Sequence, residues 1–172
     1  MSQTTESPTI KVLMVCLGNI CRSPTAHGVF QQRVREQGLH ERISVDSAGT
    51  ANYHIGEPPD GRTVGAALKR GYDLQHLRAR QVTQQDFQNY HYILAMDHSN
   101  LRDLSLRCPP NEHHKLRLFM SFGPAGTDAV PDPYYSGPEG FELVLDLVEG
   151  AADGLLQHIV RTHFHPSPDP RA

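Results

Sequence analysis

At 172 residues, with 16 Lys and Arg against 19 Asp and Glu, the chain suits one domain large enough to bury a real core. Its formal net charge of -3 leaves no basic footprint for nucleic acid, and no apolar run approaches the roughly 20 residues that span a bilayer. Three cysteines at irregular spacing make no disulfide framework, so a reducing cytoplasm is the expected compartment.

Residues 1–9 are polar and carry no Lys or Arg, which reads as a loose tail and not as a secretory signal. The apolar run over residues 10–15 predicts the first strand. A helix over residues 24–37 follows, with Ala26, Val29, Phe30 and Val34 on one face and Gly38 as its stop. Residues 43–45 predict strand two, and residues 60–70 a helix burying Val64, Ala67 and Leu68 before Gly71. Thr83 and Asp86 have the spacing of a capping pair for a short helix. Strands three and four are expected over residues 92–96 and 116–119, with Asp97 capping a helix after the third. Residues 120–137 form a long Gly/Pro-rich loop, and such loops are usually functional. Phe141, Val144, Val148, Ala152, Leu155 and Ile159 then recur at three- and four-residue steps, the signature of a last helix. Residues 165–172 read as a second tail. This alternation predicts a single three-layer α/β domain over residues 10–164, with a parallel sheet flanked by helices on both faces. The eleven histidines are scattered, and His113-His114 and His163-x-His165 lack Cys or carboxylate partners at ligand spacing, so no metal site is expected.

Between the first strand and first helix stands Cys16-Leu17-Gly18-Asn19-Ile20-Cys21-Arg22-Ser23-Pro24. In α/β sheets ligands bind beyond the carboxyl ends of strands, where this loop sits. Ser23 suits an N-cap and Pro24 a first helical residue, so the loop leads into a helix N-terminus whose free N–H groups and dipole favour an anion. Gly18 and Asn19 tolerate left-handed backbone, letting successive N–H groups curl inward as a phosphate-binding nest. A thiol at its head feels the same positive field, which favours thiolate and makes Cys16 a nucleophile. Arg22 offers a planar fork for two phosphoryl oxygens, a geometry Lys lacks. Ser23 is placed to donate a hydrogen bond to the sulfur. Cys21, inside the same loop, is either a small loop residue or a redox partner for Cys16.

With that loop, Asp46-Ser47-Ala48-Gly49, Ala79-Arg80-Gln81-Val82-Thr83, Met96-Asp97-His98-Ser99-Asn100-Leu101 and Asp132-Pro133-Tyr134-Tyr135 follow in order. The chain thereby resembles the low-molecular-weight protein tyrosine phosphatases over nearly its whole globular part. The resemblance implies a four-stranded parallel sheet, no metal or organic cofactor, and hydrolysis of phosphotyrosine through a phosphocysteine. A phosphotyrosine-containing protein, such as a tyrosine kinase, is the implied partner.

The chemistry also needs an acid to protonate the departing phenolate. Asp132, in a proline-flanked segment of the long loop, fits on position, and the resemblance makes it the general acid, with Asp128 the runner-up. Tyr134 and Tyr135 lie beside it as candidate walls for an aryl ring. By resemblance, Tyr53 and Leu17 line the mouth, Gly18, Ile20 and Cys21 complete the phosphate loop, and Asn19, Ser47 and His76 form the network that holds it. Many relatives carry Ala-Glu where this chain has Ala26-His27, so no role of that Glu carries over. The competing reading is an arsenate reductase of the same fold, which needs a relay of further cysteines. Only Cys108-Pro109 echoes one here.

Overall fold

The computed structural model describes residues 9–164. Both expected tails, apart from Thr9, lie outside the described residues. Four strands, β1 (Ile10–Cys16), β2 (Ile43–Gly49), β3 (Tyr92–Ala95) and β4 (Leu116–Leu118), form one parallel sheet in the order β2-β1-β3-β4. The helices are α1 (Arg22–Glu36), α2 (Gly61–Lys69), α3 (Gln84–Asn89), α4 (His98–Arg107) and α5 (Pro138–Ile159).

The period-two pleat of β1 divides the core. Val12, Met14 and Cys16 face one side, packing with Phe30 of α1, Ala67 of α2 and Val148 of α5. Leu13 and Val15 face the other, against Phe87 of α3 and Leu104 of α4. These two apolar layers are the physical content of the three-layer architecture that the residue pattern predicted.

Three local differences from the sequence-based expectation bear on function. β2 continues four residues past Val45, because Asp46, Ser47, Ala48 and Gly49 stay in register with Leu13, Met14, Val15 and Cys16. Polar Asp46 and Ser47 hide this strand from a hydrophobic pattern. Helix α1 begins at Arg22, with Cys21 at the N-cap position and no side-chain cap; Ser23 turns its hydroxyl to the loop and caps nothing. Helix α4 is short and mostly polar, so only its cap was legible: Asp97 Oδ1 accepts from the Asn100 N–H at 2.7 Å. The Thr83–Asp86 capping box of α3 is present as expected.

The carboxyl ends of β1, β2 and β3 bring Cys16, Gly49 and Asp97 to one edge of the sheet. There the segment between β4 and α5 returns, its buried Val130 donating its N–H to the Met96 carbonyl at 2.8 Å.

Candidate active site

The loop after β1 is held by its carbonyls. Those of Cys16, Leu17, Ile20 and Cys21 accept from the N–H groups of Thr50, Ala51, Asp60 and Thr25, at 2.9, 3.0, 2.9 and 3.3 Å. The N–H groups of Leu17, Gly18, Ile20 and Cys21 donate to no backbone carbonyl among the described residues. They are therefore free for an anion. Asn19, at φ 60°, is the one non-glycine residue with left-handed backbone among the described residues, and it makes the turn. Its N–H donates to Cys16 Sγ at 3.3 Å, and Ser23 Oγ lies 3.1 Å from the same sulfur. Asn19 Nδ2 donates to Ser23 Oγ at 2.7 Å, while Asn19 Oδ1 accepts from the Arg80 N–H at 3.0 Å. A carbonyl oxygen is the other acceptor near Ser23, that of Ala48 at 3.5 Å. The sulfur is the closer of the two acceptors for the Ser23 proton.

Gly49 explains how β2 comes so near. A Cβ there would stand 2.6 Å from the Leu17 carbonyl oxygen, so any larger residue pushes the loop away.

Arg22 is 4 % exposed and reaches across the site. Its Nη1 donates to Asp97 Oδ2 at 2.6 Å and to the Val130 carbonyl at 3.1 Å, while Nη2 lies 3.9 Å from Asp132 Oδ2. Burial opposes its charge, yet Cys16, Asp97 and Asp132 together hold its affinity for the proton above the ordinary value. The Arg22–Asp97 pair fixes the plane of the guanidinium and leaves its other edge to the site.

Cys16, Leu17, Gly18, Ile20, Cys21, Arg22, Tyr53, His54, Asp132, Tyr134 and Tyr135 line one cleft of about 320 Å³. Tyr134 and Tyr135 pack edge to face at 4.9 Å, and the Arg62 guanidinium lies 5.3 Å from the Tyr134 ring. Tyr53 is 69 % exposed and Tyr135 95 %, so both are rim residues, whereas Tyr134 is 38 % exposed. Asp132 Oδ1 accepts from the Tyr134 N–H at 3.1 Å, a local turn that couples the carboxyl to the ring. Asp128 is engaged by His98 at 2.7 Å, which pulls its carboxyl below the usual range, and it does not line the cleft.

Three residues escaped the sequence reading. Asp97 was expected only as a cap, although its second oxygen grips Arg22. His54 lines the cleft beneath Gly18. The third is His27, which partners Ser47 in the network that resemblance had given to Asn19, Ser47 and His76. His27 Nδ1 lies 3.0 Å from Ser47 Oγ, whereas His76 is exposed and makes no hydrogen bond among the described residues. The reason is positional. His27 is one turn beyond Ser23 on the buried face of α1, looking onto β2, while His76 sits on an outer turn. The signal was visible as the Ala26-His27 departure.

Burial pushes the Cys21 thiol up to about 12, with Asp60, Cys16 and Asp132 adding to the effect, so Cys21 is protonated at neutral pH. Cys108 lies in the apolar layer on the opposite face of the sheet from Cys16. Among the described residues no three His, Cys, Asp or Glu side chains converge as a metal site.

Residues 11–164 match the family model described as low molecular weight phosphotyrosine protein phosphatase. The chain is 46 % identical over 153 residues to the Streptomyces coelicolor low molecular weight protein-tyrosine-phosphatase, covering 86 % of this chain and 92 % of that one. It is 44 % identical over 141 residues to the human low molecular weight phosphotyrosine protein phosphatase, covering 81 % and 89 %. The crystal structure of an Entamoeba histolytica protein tyrosine phosphatase with Hepes in its active site superposes with a TM-score of 0.86. It is 40 % identical and covers 89 % of this chain and 98 % of that chain. With its sheet order, its thiol-bearing loop and these likenesses, the chain belongs to the low molecular weight phosphotyrosine protein phosphatase family.

Proposed function

We propose that this protein hydrolyses phosphotyrosine in proteins, and small aryl phosphates, through a phosphocysteine intermediate. The observation that carries the reading is the single cleft in which the Cys16 sulfur, the Arg22 fork and the Asp132 carboxyl face one another. The phosphoryl oxygens bind the free N–H groups of the loop and Arg22. The Cys16 thiolate attacks phosphorus as the bond to the aryl oxygen breaks, and Asp132 gives its proton to that oxygen. The Asp132 carboxylate then takes a proton from water, whose oxygen attacks phosphorus. The P–S bond breaks, phosphate leaves, and Ser23 donates to the returning thiolate.

Tyr134, with Tyr53 and Tyr135 at the rim, selects an aryl ester. Ring contacts of this kind contribute about 0.5–1.5 kcal/mol beyond burial. A tyrosine kinase carrying phosphotyrosine is one fitting partner. The three free thiols suit a reducing compartment, which supports a cytoplasmic setting. The test is kcat/KM on matched phosphotyrosine and phosphoserine peptides, with native protein and Cys16→Ser. Turnover of phosphotyrosine alone, lost in Cys16→Ser, supports the proposal, and equal turnover of both peptides removes it.

A further inference from the structure

The contacts around the thiol loop continue well beyond it. Ser23 Oγ, beside Cys16, accepts from Asn19 Nδ2, and Asn19 Oδ1 accepts from the Arg80 N–H. The Arg80 side chain donates Nε–H to Asp46 Oδ2 at 3.1 Å, and Asp46 Oδ1 accepts from the Ser47 N–H at 2.8 Å. Ser47 Oγ meets His27 Nδ1 at 3.0 Å. The series thus leaves the sulfur, crosses to the 80s segment and β2, and returns to α1 one turn beyond Ser23.

His27 terminates that series in a dry place. The ring is 6 % exposed. Next to it, Gly28 packs so closely on Leu74 that a Cβ would collide with that side chain, which holds α1 against the segment carrying His76. The charged or titratable groups whose fields reach the ring are Asp46, on the other face of β2, and His76. Burial pushes His27 down to about 4, with Asp46 opposing and His76 reinforcing, so the ring is neutral at pH 7 and its bond to Ser47 carries no charge.

We propose that His27 is a positioning residue for the thiolate loop, acting through Ser47 and the Asp46–Arg80–Asn19 series on the hydrogen bond that Ser23 offers Cys16. A buried hydroxyl that loses its partner seeks another, and Ser47 sits where β2 meets the loop. Its rearrangement would shift Asp46 and Arg80, and with them the Asn19 amide that orients Ser23. The inference rests on the thiolate reading of Cys16 above.

The test compares His27→Leu, His27→Asn and Ser47→Ala, alone and combined, in the full chain. Three quantities are followed: kcat and KM on p-nitrophenyl phosphate, the pH dependence of Cys16 alkylation by iodoacetate, and Tm. Losing one such bond is expected to lower kcat by about three- to tenfold in His27→Leu, with KM nearly constant. Alkylation of Cys16 shifts to higher pH. His27→Asn, whose amide reaches the place of Nδ1, recovers most of both. Ser47→Ala combined with His27→Leu is no slower than either alone, because the two act in series. A drop in Tm with kcat and the alkylation profile unchanged overturns the proposal, as do additive losses or an Asn variant no better than Leu. If His27→Leu does not fold, His27→Asn and Ser47→Ala with their combination provide the same comparison. A native protein whose Cys16 resists iodoacetate near neutral pH overturns the thiolate reading, and this proposal with it.

Discussion

Two loops meet over Arg22, and they are held in opposite ways. The Cys16 loop is fastened on every side: four of its carbonyls accept from N–H groups, Asn19 donates to Ser23, and Asn19 accepts from the Arg80 N–H. The loop carrying Asp132 is pinned chiefly at buried Val130, whose N–H bonds Met96 and whose carbonyl accepts from Arg22, and Pro133 is its other buried residue near the acid. Around these two points the chain is exposed, at Asp132 and from Tyr134 to Ser136, reaching 95 % at Tyr135. The difference matches the tasks. A nest of inward N–H groups with a left-handed Asn19 is not the relaxed state of a chain and needs surrounding bonds to persist. On the proposed mechanism Asp132 must approach a leaving group and then let phosphate go, a task that suits a short lever with a firm base.

The largest effects should come from the fastened side. Cys16→Ser should bind phosphate but show no turnover, while Cys21→Ser, a protonated neighbour, keeps much of its activity. Arg22→Lys keeps the charge and loses the fork, and kcat should fall by about 10²–10³, as for other lost transition-state donors. Equal loss in both cysteine variants would erase the distinction between the head of the nest and its interior.

On the lever side, Asp132→Ala should lower kcat by about 10²–10⁴, most for the most basic leaving groups. A series of aryl phosphates reads this directly. A uniform drop at every leaving group would mean that Asp132 only shapes the loop. The two sides are joined by Asp97, and Asp97→Asn keeps the cap of α4 while removing the charge that fixes Arg22. About a tenfold loss in kcat/KM is expected, with Tm only slightly lowered, because one charge-assisted bond is weakened.

Smaller effects separate the two sides by stability. Gly49→Ala forces a Cβ against the Leu17 carbonyl and should cost about 1–3 kcal/mol in denaturant unfolding, with slower turnover. Acid should weaken the fastened side too. His27, depressed to about 4 by burial, resists protonation that the unfolded chain accepts below its usual value near 6.5. Stability contributed by the neutral ring is therefore full above that value and falls as pH drops towards 4, by about 2 kcal/mol at pH 5. Unfolding of native protein and His27→Asn at pH 7.5 and 5 isolates this contribution. By contrast, His98→Ala breaks only an exposed pair to Asp128, and kcat should change by less than about twofold.

The same contrast separates what the residues reveal from what they hide. The fastened loop was legible because its chemistry is local: Cys16, Gly18, Asn19, Arg22 and Ser23 lie within eight positions after an apolar strand. The layers were legible because β1 alternates and α5 repeats at helical spacing. What could not be read is set by long-range packing. Asp97 meets Arg22 across 75 positions, and His27 meets Ser47 only because α1 lies on β2. Resemblance placed His76 in that network, and a buried His27 four residues after Ser23 was the better candidate on physical grounds. Ser23 was read both as a cap, because Ser-Pro opens many helices, and as a partner of the sulfur; its hydroxyl caps nothing and lies 3.1 Å from Cys16 Sγ.

The central claim is that phosphoryl passes through Cys16. Asp132→Ala, slowed in hydrolysing the intermediate as well as in forming it, should be mixed with p-nitrophenyl phosphate and quenched in acid within one turnover. Peptide mass analysis then locates the phosphoryl group. One phosphoryl group is expected on the peptide spanning Cys16 and Cys21, with fragmentation placing it on Cys16. A phosphoryl group on Cys21 or on a histidine, or nitrophenol released with no phosphoryl-enzyme at any quench time, would contradict the claim.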